Sequence, residues 1–145
     1  MSTRELQQQL IANLREWQKL ENAQITLTGS VLEETSNPIV SVVMEIIQRD
    51  SQMHHRVQQL IIDSLESEVV GMEAADVALV RDQLHTHLEM EKETVRLALE
   101  SLEALAGKDL VVQEFLMEFL RRDEEKHRDL LTALETFLDP RDESD

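Results

Sequence analysis

The chain has 145 residues, of which 14 are Lys or Arg and 30 are Asp or Glu, giving a formal net charge of −16, and it contains no cysteine. The length suits one domain with its own core, and the missing cysteines exclude disulfides, zinc–thiolate and iron–thiolate centres, and thiol nucleophiles. The acidity repels nucleic acid and anionic membrane surfaces and favours metal cations. The N-terminal MSTRELQQQLIANL lacks the charged-then-apolar pattern of a signal peptide, and no apolar run reaches membrane-spanning length. A cytoplasmic protein is therefore expected, with neither nucleic acid nor membrane as a partner.

Breaks fall at TSNP (35–38), near Gly71, at AGKD (106–109) and at DP (139–140). The segments between them run to about thirty residues, or roughly 45 Å each as helices. In the first, Gly29 lies in TLTGS, poor helix material that implies a bend or a close approach to a neighbour. The second opens on Asn37 as a cap with Pro38 in the first turn. Residues 66–80, ESEVVGMEAADVALV, then either cross over the length of a bundle or form a short turn. Gly107 ends the third helix, and Asp109 is expected to cap the fourth. Apolar residues recur at three- and four-residue steps, as in Val111, Phe115, Phe119 and Leu130, Leu134, Phe137. The pattern predicts an all-α four-helix bundle over residues 1–139, followed by a frayed acidic tail at 140–145.

Residues 46–65, IIQRDSQMHHRVQQLIIDSL, match residues 119–138, FLRRDEEKHRDLLTALETFL, without a gap. Arg49 falls on Arg122, Asp50 on Asp123 and His54 on His127, while Val57, Ile61 and Leu65 fall on Leu130, Leu134 and Leu138. A repeated helix pair is the simplest source of this register. The apolar stripe predicts that Asp123 and His127 point inward, with Glu124 one helical turn from His127, so that both reach one point. The second segment predicts the same for Asp50 and His54. Glu21 shares a face with Trp17, Gln24 and Thr28, and Glu91 shares one with Leu84, His87, Val95 and Ala98. Burying so many ionisable groups costs several kcal/mol each unless they are compensated, and a divalent cation is the usual compensation. Carboxylate and imidazole donors suit iron, manganese or zinc. The bland alternative for Asp123 and His127 is a buried hydrogen-bonded pair that fixes helix register. For His87 it is a core histidine bonded to a neighbour, and His55 and His85 are expected to face solvent.

A Glu on each of two helices and Glu-x-x-His on the other two is the di-iron carboxylate arrangement, and the chain resembles the ferritin-like superfamily, rubrerythrin and bacterioferritin in particular, over nearly its whole length. The resemblance implies a crossover between the second and third long helices. It also implies Glu21 and Glu91 as terminal ligands, Glu124 as a bridging ligand, and His54 and His127 as nitrogen ligands. Asp50 and Asp123 would then orient the histidine of the opposite half. The first copy departs from the pattern, since Ser51 stands where the second bridging glutamate belongs, and His87 is a candidate to fill that gap.

The resemblance implies a protein that holds one or two iron ions, or manganese or zinc, in the bundle core, with oxygen- or peroxide-dependent oxidoreductase activity of the ferroxidase or peroxidase kind. The partners expected are the metal ion, a small oxidant, an external electron donor for any redox cycle, and further copies of the chain in a homodimer or larger homo-oligomer. The alternative is a non-catalytic structural or interaction bundle with a vestigial metal site.

Overall fold

Ser2 starts the first helix by a reciprocal cap, its Oγ accepting from the Glu5 amide at 3.2 Å while its own amide donates to Glu5 Oε2 at 2.7 Å. This helix, α1 (Thr3–Glu34), runs through Gly29 without interruption. A β-carbon placed on Gly29 would meet Gln48 Nε2 at 3.7 Å, ordinary van der Waals contact, so neither the expected bend nor a close approach requires glycine here. Gly29→Ala is expected to raise stability by about 0.5–1 kcal/mol, read as a higher melting temperature, because alanine fits and restricts the unfolded chain.

The computed structural model describes residues 1–67 and 71–138. Asn37 caps α2 (Pro38–Glu66), its Oδ1 accepting from the Ile39 amide at 2.9 Å and the Val40 amide at 3.1 Å. Asn37→Ala is expected to cost about 1 kcal/mol in chemical denaturation, since both amides lose their partner. A single-turn helix, α3 (Ala74–Ala78), occupies part of the expected crossover and buries Val77. It precedes α4 (Arg81–Leu105) and α5 (Val111–Leu138), which makes five helices where four are expected, with no strand among the described residues. Gly107 ends α4 with a φ of +71°. Asp109 does not cap α5, contrary to expectation. It takes φ +56° in the turn, a conformation aspartate tolerates better than most residues, and the helix begins two residues later.

The chain divides into two compact units, Met1–Gly71 and Met72–Asp145. Residues 139–145, which include the expected tail, lie outside the described ones. In the first unit α1 packs on α2, burying Leu14, Gln18, Glu21 and Thr28 against Ser51, Gln58 and Ile62. Much of this contact is amide chemistry. Gln18 Nε2 donates to the His55 carbonyl at 3.3 Å and to Gln59 Oε1 at 3.1 Å, and Gln48 Nε2 donates to the Ile25 carbonyl at 3.2 Å. In the second unit α4 packs on α5, burying Leu88, Glu91, Val95, Ala98 and Leu131, with α3 also packed against α5. No helix of the described residues is long and apolar enough to cross a membrane.

A helix pair covers only part of each helix's apolar arc. On α2 the uncovered part carries Ile47, Val57 and Ile61 beside Asp50 and His54, all exposed. On α5 it carries Val112, Phe115 and Leu130, with Phe119, Asp123 and His127 half-buried among them. The stripes expected to face a bundle interior are thus the open faces of the two hairpins. On α5 the residue buried against α4 is Leu131, whereas its neighbour Leu130 is 59% exposed.

Candidate metal centre

The α4–α5 hairpin gathers Glu91, Glu124 and His127, whose candidate donor atoms all lie within 4.8 Å of one another. Glu91 is buried because it follows Leu88 by three residues and precedes Val95 and Ala98 on the face turned to α5. Its Oε1 is reached by His87 Nε2 at 3.1 Å and His127 Nδ1 at 3.4 Å. Thr94, one turn on, donates to Glu124 Oε2 at 2.8 Å and lies 3.3 Å from Glu91 Oε2, so its hydroxyl sits between the two carboxyl groups. His127 Nδ1 lies 4.0 Å from Glu124 Oε2, and its Nε2 lies 3.4 Å from Asp123 Oδ2. With the proton on Nε2, the ring nitrogen nearer Asp123, the Nδ1 lone pair would lie on the side of the two glutamates.

The electrostatics follow from two acids sharing one small space. Hydrogen bonding with Glu124 holds the Glu91 carboxyl below the usual range against the opposing effect of burial, with His127, His87 and Thr94 adding to the lowering. Glu124 is pushed above the usual range, first by Glu91, while Thr94 and His127 oppose. Between the two shifted values the pair shares one proton, the proton a cation would displace. Three donors of hard and borderline type, with one ring nitrogen aimed between two carboxylates, fit iron, manganese or zinc.

The α1–α2 hairpin arranges the corresponding positions differently. Glu21 is buried, and its Oε1 accepts from Trp17 Nε1 at 3.1 Å and from Gln58 Nε2 at 3.5 Å, with His54 Nδ1 at 3.4 Å. Glu21 Oε2 and Gln58 Oε1 are buried without a hydrogen-bond partner among the described residues. Ser51, at the place of Glu124 in the repeat, is buried and donates to Gln24 Oε1 at 3.3 Å. No second cluster of three metal-ligating groups is found among the described residues. No protein-family model, curated protein or solved structure matches the chain.

Several expectations need correcting in detail. His54, expected inward, has an exposed side chain, and Asp50 is exposed with it. His55, expected in solvent, is half-buried and lends its carbonyl to Gln18. His87 is bonded to Glu91 as its bland reading has it, but its side chain is 57% exposed and it is no core histidine. Asp123 lies beside the histidine of its own helix and beside Lys126 Nζ at 2.7 Å. Sequence reasoning missed Thr94, although its place one turn after Glu91 on the same face was a usable signal. Trp17, which shares a face with Glu21, donates its indole N–H to that carboxylate.

Proposed function

We infer that the chain is a metal-binding helical protein of ferritin-like architecture. Its long helices would assemble as a four-helix bundle around a carboxylate–histidine centre built on Glu91, Glu124 and His127. The observation that carries this reading is the convergence of those three side chains, from two helices, on one point. The repeat of the Asp-x-x-x-His register at Asp50/His54 and Asp123/His127 supports the bundle, as do the open apolar faces on which it lies.

Iron is the ion proposed, with manganese or zinc accepted by the same donors. Iron held there would supply redox chemistry toward oxygen or peroxide. The chain's own part would be to fix the imidazole through Asp123, to position both carboxyl groups through Thr94, and to release the proton of the acid pair. With no tyrosine and no cysteine in the sequence, electrons for turnover would come from a separate donor. Glu21 and His54 stay outside the proposed centre.

The competing reading is a metal-free polar layer that sets helix register, favoured by the contacts from His87, His127 and Thr94 that already engage Glu91. Elemental analysis after anaerobic reconstitution with iron(II) separates the two. Retained iron that is lost in Glu124→Ala is the expected result, and wild-type protein emerging without metal would sink the metal reading. Iron(II) oxidation no faster than in buffer by metal-loaded protein would leave a binding protein rather than an enzyme.

A further inference from the structure

Arg49 and Met53 lie two residues either side of the buried Ser51, and Arg56 and Leu60 two residues either side of the buried Gln58. Two residues are about half a turn, so these four side chains stand on the side of α2 away from α1. Val42 continues the row, and its three apolar members are 37–53% exposed. His54 and Ile61 follow Met53 and Leu60 by one residue, about 100° further round. The row is therefore separate from the open face of α2 assigned above to the bundle.

Its arginines are uncompensated. Among the described residues neither Arg49 nor Arg56 has an ion pair, in a chain with 30 acids to 14 bases. Elsewhere Arg96 is held by Glu93 and Glu100, and Arg121 by Glu118 and Glu125. Glu45 lies one turn before Arg49 without pairing to it. At three- and four-residue steps Arg56 has Gln52, Met53, Gln59 and Leu60, none of them an acid. We propose that this row docks an amphipathic helix of a different protein, one that presents two acids about two turns apart. Apolar side chains would lie between those acids and basic residues outside them.

The order of charge selects this occupant. Along α2 it runs Glu45, Arg49, Arg56, Asp63: an acid, two bases, an acid. A two-fold contact brings the row onto itself, either in register or end for end. Both arrangements set arginine near arginine and acid near acid, which opposes self-association through this face. The inverse order, a base, two acids and a base, meets no such opposition. A helix also repeats side chains at the steps on which the row is built. Anionic lipid and nucleic acid offer no bases for Glu45 and Asp63, and the net charge of −16 repels both.

The probe is a fluorescent synthetic helix of about three heptads with the inverse charge order and leucine along the same face. Its anisotropy on addition of the full chain is expected to show saturable binding that weakens with salt. Arg49→Glu/Arg56→Glu should weaken binding at least about tenfold, and a peptide with every charge inverted should bind that variant better than it binds wild type. Arg4→Glu/Lys108→Glu changes two exposed cations elsewhere by the same net charge, and should leave binding within about twofold of wild type. No saturable binding at sub-millimolar peptide overturns the proposal, as does equal loss in the two double variants, which would reduce the effect to bulk charge. A doubled mass of wild type in light scattering, reversed by Arg49→Glu/Arg56→Glu, would put a second copy on the row and overturn it as well. So would phosphatidylserine vesicles or duplex DNA held by wild type, lost by that variant and not displaced by the peptide.

Discussion

Saturating divalent cation is expected to raise the melting temperature, and the rise should grow with pH until Glu124 is fully ionised. Glu124 is pushed above its ordinary value of 4.5 and Glu91 is held below it. For Glu124 the raised value contributes stability that is present at low pH and lost as pH climbs through the folded-state value. For Glu91 the lowered value contributes stability that is present above the ordinary value and lost as pH falls through the folded-state value. The metal-free pair is therefore most stable in the window between the two, when it holds a single proton. A cation needs both groups ionised, so binding expels that proton and tightens as pH rises. With ligand at about 100 times its dissociation constant the gain is about 2.7 kcal/mol. For a chain of this size that amounts to a shift of several degrees. Circular dichroism melts across a pH series, with and without zinc(II), read the effect. Glu124→Gln should abolish both the metal-dependent gain and its pH dependence, and a gain that persists unchanged in that variant would place the ion elsewhere.

The second large effect is expected at Ile62. It is fully buried, and Leu14 is the other buried apolar side chain among the described residues of the α1–α2 hairpin. Ile62→Ala removes three carbons and leaves a cavity in a small core, at a cost of about 2–5 kcal/mol. The rest of that interface is polar and has little to refill the space with. Loss of the α1–α2 helicity is expected at a temperature where α4–α5, with Leu88, Val95 and Leu131 in its own contact, stays folded. Hydrogen exchange followed by mass spectrometry separates the two hairpins. Protection retained equally in both would mean that the cavity closes or that the core extends beyond this side chain.

Helix ends were the most legible part of the fold, because a cap is local chemistry: Asn37 and Gly107 declare themselves within three residues. Asp109 misled because the same side chain that caps helices also tolerates positive φ, and sequence does not separate the two uses. The single turn α3 was too short to leave a periodic signal. Periodicity found the apolar arc of α5 but not which part of it α4 covers, so Leu131 is buried while Leu130, on the expected stripe, is exposed. The candidate site was legible in its acids. Glu21 and Glu91 are both buried as their faces imply, and Glu124 with His127 does fall one turn apart toward one point. Thr94 was invisible to a search for ligand types, because what it contributes is a hydroxyl placed between two carboxyl groups.

The amides between α1 and α2 bear on how two helix pairs with matching registers stay apart. Two hairpins with interchangeable surfaces would let any helix of the first pair with its opposite number in the second. In this chain Gln58 on α2 stands where α5 has Leu131, and both are buried against their own partners. An α1 helix that strayed onto α5 would lose the Gln59 side-chain acceptor of Gln18 and the Gln58 donor to Glu21, stranding buried polar atoms at about 1–3 kcal/mol apiece. Rejection of the wrong partner is thereby written into the first hairpin. The second is lined by leucine and valine, with Glu91 buried among them.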